Sequence, residues 1–327
     1  MVNYFKKIFT YTTPSSFDQI LQGIEAKVTP LMNANLICDF IADEVERALK
    51  QMKPLTAPKP NGMSPIFFKS CWNFISQDVI ANSLAILNSG SMTDNLNHTF
   101  ISLVPKTKSP KKAKDFQPIS LYNVLYKIIS KTIANCLKTL LPKLVSETQS
   151  AFMSDRLILD NILVAFETLH HLKNKRKGKL GFMALKLNMS KAYDRLKWVF
   201  FEKLMEKFGF ADRWISLISS CIRSVSFSVL VNGESHSHFS PNRGLRQGDP
   251  LSPYLFILCT KGLHLLIQQA EQVGSIQGVS ICSVGPKVSH MFFANDNFLF
   301  YQATNQDCSS ILDILHQYKA ASGQQIN

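Results

Sequence analysis

The sequence predicts a mixed α/β (α+β) fold, and three observations carry that prediction. Phe182, Ala184 and Lys186 alternate with Met183, Leu185 and Leu187, the period of a short strand with at least one apolar face. Apolar residues at 124, 125, 128, 129, 133, 136, 137 and 140 recur at three- and four-residue steps, the period of a long helix. Asn232-Gly233 follows the alternating run Ser226–Val231 and is the strongest short hairpin signal in the chain. The strand at 182 runs into Ser190-Lys-Ala-Tyr-Asp-Arg, which is polar, turn-prone and then helix-forming. A strand end followed by a turn is where α/β proteins place much of their chemistry.

At 327 residues, 36.9 kDa and 46% hydrophobic residues, the chain can bury a sizeable core in one or two domains, which excludes a disordered tail. Its net charge of +13 and pI near 9.4 point to a polyanionic partner, because Lys/Arg-rich faces bind phosphate backbones by releasing counterions. Cys38, Cys71, Cys136, Cys221, Cys259, Cys282 and Cys308 are scattered without a Cys-x-x-Cys. Neither a zinc cluster nor a disulfide framework is expected, and the thiols read as free in a reducing compartment. The N-terminus lacks a long apolar core with a small-residue cleavage site, and no apolar run reaches about 18 residues. A soluble intracellular protein, nuclear or cytoplasmic and without membrane association, is the expectation.

Residues 1–35 mix turn formers with isolated apolar residues and read as a connector. Phe40, Ile41, Val45, Ala48, Leu49 and Met52 mark an amphipathic helix over 39–52, with acidic residues early and Lys50 late. Residues 53–64 are dense in helix breakers and form a loop. A helix is expected over 78–87 and a strand over 99–104. That strand leads into residues 105–115, where Lys106, Lys108, Lys111, Lys112 and Lys114 fall close together. By itself such a run is a solvated loop. A long helix covers 124–141, and Asp160-Asn161 are expected to cap the next one, which ends near 172. Residues 173–179 form a basic turn into the central strand. Helices follow over 199–208 and 211–221, then the hairpin at 226, then a helix started by Pro250 and Pro253 that ends near 269. A second hairpin spans 287–301 with Asn295-Asp296 at its tip, and a final helix begins near 306.

Several segments resemble one family closely. Phe182–Trp198 is similar to motif A of reverse transcriptases, in particular those of plant LINE-type (non-LTR) retrotransposons, whose pattern here is Leu-Lys-Leu-Asp-Met-Ser-Lys-Ala-Tyr-Asp. Arg243-Gly-Leu-Arg-Gln-Gly-Asp-Pro-Leu-Ser-Pro253 is an unbroken match to motif B and carries most of the specificity. Phe293-Ala-Asn-Asp296 resembles motif C, Phe-Ala-Asp-Asp, and Ala321–Asn327 resembles the start of motif D. Phe116-Gln-Pro-Ile-Ser-Leu121 and Glu147-Thr-Gln-Ser-Ala-Phe152 match further family segments, with Gln117 where the family has Arg and Arg156 in register. The resemblance covers roughly residues 40–327. It implies a right-hand polymerase fold: a connector and helix over 1–53, a fingers-like region over 54–180 and a palm-like region over 181–327. The thumb that follows the palm in the family is expected to be absent from this chain, as are an upstream endonuclease and a zinc knuckle.

The resemblance also implies the chemistry, RNA-directed DNA synthesis with an RNA template, a DNA primer and dNTPs as partners and Mg²⁺ as cofactor. Its metal-ligand positions fall on Asn188, Asn295 and Asp296, so only Asp296 keeps a carboxylate for the metal. Tyr193, which by spacing alone reads as a core aromatic, takes the place of the steric gate under the incoming sugar. Lys106, Gln117, Arg156 and Gln247 fall at nucleotide-binding positions. Lys108, Lys111, Lys112, Lys114 and Arg246 fall at nucleic-acid-binding ones, whereas Asp194 lies past the metal and reads as structural. Two divalent cations bind anionic oxygens, and an amide offers a carbonyl without charge. Polymerase activity is therefore expected to be severely impaired. The competing expectation is a non-catalytic protein that keeps the fold to bind RNA or a partner.

Overall fold

A computed structural model describes residues 2–11, 17–55, 62–153, 156–175, 181–281 and 287–326. Two expected features, the turn-rich part of the loop at 56–61 and the basic turn at 176–180, lie outside the described residues. The strands are β1 (His98–Pro105), β2 (Phe116–Tyr122), β3 (Phe182–Ser190), β4 (Ser226–Val231) and β5 (Glu234–Phe239). They are followed by β6 (Val279–Ser280), β7 (Lys287–Val288), β8 (His290–Phe293), β9 (Asp296–Gln302) and β10 (Gln325–Ile326). The chain forms two compact units that interleave in sequence. The first comprises Met1–Thr13, Val28–Leu140 and Gly209–Pro253; the second comprises Pro14–Lys27, Leu141–Phe208 and Tyr254–Asn327.

The first unit is built on a sheet of order β2-β1-β4-β5. β1 is antiparallel to β2, from Thr99↔Tyr122 to Pro105↔Phe116, and parallel to β4. The expected loop at 105–115 is thus the tip of a β-hairpin. Its second strand was not expected, because Pro118 interrupts the strand signal at a position where the donor it lacks is tolerable only in an irregular or edge strand; β2 is indeed the sheet edge. The β4–β5 hairpin turns on Asn232 and Gly233, both with positive φ, as the Asn-Gly signal requires. The stretch expected as a connector contains helices at Val2–Ile8 and Pro30–Ile37 here, and at Asp18–Gln22 in the second unit. These helices are too short for a periodic pattern to declare itself; Phe5, Ile8 and Leu36 are nonetheless buried, and packing rather than propensity holds them.

The second unit carries a sheet of order β10-β3-β9-β8. β3 and β9 run antiparallel from Phe182↔Gln302 to Asn188↔Asp296, and β10 adds to the other edge of β3 at Met189 and Ser190. Alternation divides the sheet: Leu187, Met189 and Leu299 are buried on one face, while Lys186, Asn188 and Asp296 lie on the other. The helix Ile158–Asn174 supplies Ala165 to a core with Val279, Met291 and Phe300. It starts earlier than expected, with Leu157 as the cap residue and the Asp160 carboxylate accepting from the Leu157 N–H at 3.3 Å.

Asn297 sits on the buried face at 0% exposure, and among the described residues neither its Nδ2 nor its Oδ1 has a hydrogen-bond partner. A buried amide left unpaired costs about 1–3 kcal/mol, and a strand favours β-branched residues. Asn297→Val is therefore expected to stabilise the protein by about 1–3 kcal/mol. Urea unfolding of both proteins measures this, and a lower midpoint for the variant would show that Asn297 is satisfied.

Candidate active site

The register of β3 and β9 builds the site. Asn188 and Asp296 are direct cross-strand partners, and the Met189 N–H donates to the Asn295 carbonyl at 3.3 Å. The two Asn positions and Asp296 thus converge where the end of β3 meets the tip of the β8–β9 hairpin. That tip turns through Ala294, whose φ of 51° lies in the left-handed region. It is held from below by a buried glutamine, since the Gln149 Oε1 accepts from the Ala294 N–H at 3.2 Å and from the Ala151 N–H at 3.0 Å. The Phe292 N–H donates to the Thr148 carbonyl at 2.9 Å, and the Asn161 Nδ2 bridges the carbonyls of Thr148 and Phe292. Thr148, Gln149 and Asn161 therefore clamp the hairpin, a role that spacing did not signal because each of their hairpin partners is more than a hundred residues away.

The electrostatics of this convergence are weak. Asp296 Oδ1 lies 3.8 Å from the Lys186 Nζ, with the two side chains 45% and 62% exposed. An ion pair so exposed contributes little to stability. It does place a cation beside the one carboxylate. Lys186 is two residues before Asn188 on the same strand face, the one cue in the sequence to this contact. Among the described residues no group of three or more His, Cys, Asp or Glu could hold a metal ion. One carboxylate already facing an ammonium, flanked by two neutral amides, does not fit a pair of divalent cations.

Tyr193 follows the turn after β3 and stacks on Phe256, with ring centroids 4.8 Å apart and planes at 23°. Burial pushes its phenol up to about 12. Asp194 is buried and pairs with Lys191 at 3.9 Å, in keeping with a structural part. Arg156, expected at the nucleotide, donates from Nη1 to the carbonyls of Ser146 and Gln149, so it secures the clamp loop.

In the first unit, Lys106, Lys108, Lys111, Lys112 and Lys114 are all exposed on the β1–β2 tip, and Gln117 is exposed on β2 opposite Val104. Asp115 organises the tip: its carboxylate accepts from the N–H groups of Lys112 and Lys111 at 2.9 and 3.0 Å, and these bonds hold its pKa below the usual carboxylate value. Gln247 is half-buried, in a loop where Gly244 and Gly248 both adopt positive φ that other residues resist. Arg246 is buried. It is 7% exposed, its guanidinium lies 4.3 and 4.6 Å from the ring centroids of Tyr122 and Tyr126, and its Nη1 is 3.7 Å from Asp249. Its charge is directed into the interior of its own unit.

Comparisons with known proteins agree with this arrangement. The model of the reverse transcriptase (RNA-dependent DNA polymerase) family matches residues 105–327. The chain is similar to the transposon TX1 uncharacterized 149 kDa protein of Xenopus laevis, 24% identical over 320 residues that make up 96% of this chain and 23% of that protein. It is similar to the retrovirus-related Pol polyprotein from type-2 retrotransposable element R2DM of Drosophila melanogaster, 24% identical over 327 residues, 100% of this chain and 29% of that protein. An uncharacterized mitochondrial protein of Arabidopsis thaliana is 46% identical over 67 residues, 20% of this chain. The chain thus spans about a quarter of the length of the first two relatives. Among the described residues no helix is long and apolar enough to cross a membrane. With the motif A strand end and the motif C hairpin joined in register and the family match covering both, the chain belongs to the reverse transcriptase (RNA-dependent DNA polymerase) family.

Proposed function

We propose that this domain derives from the RNA-directed DNA polymerase of a plant LINE-type element and that its own nucleotidyl transfer is disabled. The single observation carrying this reading is the pairing of Asn188 with Asp296 beside Asn295, which leaves one carboxylate where the family places three. The relative from Arabidopsis thaliana supports the plant assignment. The β1–β2 hairpin corresponds to fingers, and the β10-β3-β9-β8 sheet to the palm. Lys106, Gln117, Tyr193 and Gln247 fall at motif positions that the family resemblance assigns to the nucleotide, while an amide at 117 lacks the charge and fixed fork of the family's Arg. Because the residues at the metal positions do not fit Mg²⁺, no catalytic step is assigned to this chain. Primer extension on an RNA template with Mg²⁺ tests the reading: the unmodified chain is expected to add no nucleotide above background, and steady extension would overturn it.

A retained capacity to bind RNA is favoured by the five exposed lysines of the hairpin tip. Binding of single-stranded RNA is expected to be weak and to fall steeply with salt. Changing Lys111, Lys112 and Lys114 together to Gln should flatten the slope of log affinity against log salt by up to about 2, at about 0.7 per phosphate contact. Filter binding across a salt series measures the slope, and no change would mean that these lysines are merely solvated.

A further inference from the structure

Away from the residues discussed so far, the segment 23–27, Phe208 and the helix Ser252–Gln272 line a polar cavity of about 300 Å³ within the second unit. Lys27, Lys261, His264 and the amides of Gln268 and Gln272 face it. We propose that this cavity binds a small phosphate-bearing molecule, inorganic phosphate or a phosphomonoester, with Lys27 and Lys261 as its charge partners.

Lys261 is only 8% exposed. Among the described residues neither its ammonium nor that of Lys27 makes an ion pair or a hydrogen bond. A buried ammonium without a partner is costly, and proteins keep such groups where something supplies the missing charge. Burial, with the Lys27 charge adding to it, lowers Lys261 to about 8, and Glu25 opposes the shift without pairing. A bound dianion would reverse that shift.

His264 contributes shape and a hydrogen bond but no charge. Its Nδ1 lies 2.6 Å from the His290 Nε2, and the His290 Nδ1 lies 2.8 Å from the Ser289 Oγ, which in turn bonds Glu271. One ring donates to the other across this contact, and burial keeps both imidazoles neutral. Burial lowers His264 to about 2, with His290, Lys261 and Lys27 adding to the effect, and lowers His290 to about 3. The positive charge in the cavity therefore resides on the two lysines, offset in part by Glu25. A phosphate dianion offers enough acceptors for both ammonium groups and for the side-chain amides at once, which a monovalent halide does not. A cavity of this volume has room for the oxyanion and a modest substituent.

The test uses the full chain in thermal unfolding and isothermal titration with inorganic phosphate, adenosine 5′-monophosphate, and chloride at matched ionic strength. Phosphate or the monophosphate should raise Tm above the chloride control, and the tighter of the two identifies the source of the anion. Lys261→Met keeps the apolar stem and removes the charge, so it should fold with an unchanged or higher Tm and bind the anion at least about tenfold more weakly. Labelling of lysines by acetic anhydride, read by mass spectrometry, gives a second readout: the anion should protect Lys261. Stabilisation by chloride equal to that by phosphate, or undiminished binding by Lys261→Met, would overturn the proposal.

Discussion

Restoring Asp at positions 188 and 295 together is expected to raise Mg²⁺-dependent nucleotide addition on an RNA template by at least about a thousandfold over the unmodified chain. Either change alone should gain little. Asn188 and Asp296 are cross-strand partners, and the Asn295 backbone is hydrogen-bonded to Met189, so both new carboxylates would enter the same few ångströms. Two divalent cations there carry four positive charges, and Lys186 adds another beside Asp296. One added carboxylate leaves the cluster undercompensated; two bring it to the balance the chemistry needs, and the effects should not add. Several kcal/mol of lost charge compensation, at about 1.4 kcal/mol per tenfold in rate, accounts for the factor. Single-turnover primer extension by the two single variants and the double variant measures it. If the double variant is folded and binds RNA but adds no nucleotide, Gln117→Arg becomes the next change to make. If the unmodified chain extends primers at a rate comparable to the double variant, the claim of a disabled site is wrong.

Asp249→Asn is expected to destabilise the protein by about 3–5 kcal/mol, the cost of breaking a buried ion pair by removing one partner. Asp249 is 5% exposed. Its Oδ1 accepts from the Ser130 hydroxyl and from the Leu251 N–H, the latter at 3.0 Å, and its Oδ2 faces Arg246. The guanidinium on the other side has Asn97 as a hydrogen-bond partner and two tyrosine faces, while its Nε and Nη1 make no hydrogen bond. Without Asp249 a buried cation would depend on ring quadrupoles, which contribute about 2 kcal/mol when desolvated. Urea unfolding of Asp249→Asn, Arg246→Met and the double variant measures the coupling. The double variant should be less destabilised than the sum of the singles, because it removes both charges together. Strict additivity would mean that the two residues do not act as a pair. The consequence reaches the loop that carries Gln247, since the Tyr122 hydroxyl donates to the Gly248 carbonyl at 2.8 Å from the same cluster. Two of the charged residues in the unbroken motif at 243–253 thus serve to hold the loop that presents Gln247.

Local pattern was enough for much of this protein. The alternation at 182–187, the helix now seen as Val124–Leu144 and the Asn232-Gly233 turn each follow from the conformational preferences of neighbouring residues, which are present in any segment of that sequence. The motif spellings align Asn188, Asn295 and Asp296 with the family's metal positions and show one carboxylate among the three, since a charge is read directly from residue type. Tertiary structure alone decided the parts that depend on distant partners. Arg246 is withdrawn into its unit by Asn97, Tyr122 and Tyr126, and Arg156 is engaged by carbonyls of the loop it follows; both read as ligand-facing cations by position in a motif. Gln149 became a support of the hairpin tip only because Ala294 lies against it. Lys186 and Asp296 met through strand register, and the unpaired Lys261 gained its meaning from burial against a segment more than two hundred residues away. The physical reason is common to all of these: a side chain's charge and hydrogen-bonding capacity are local properties, but which partner satisfies them is set by chain folding.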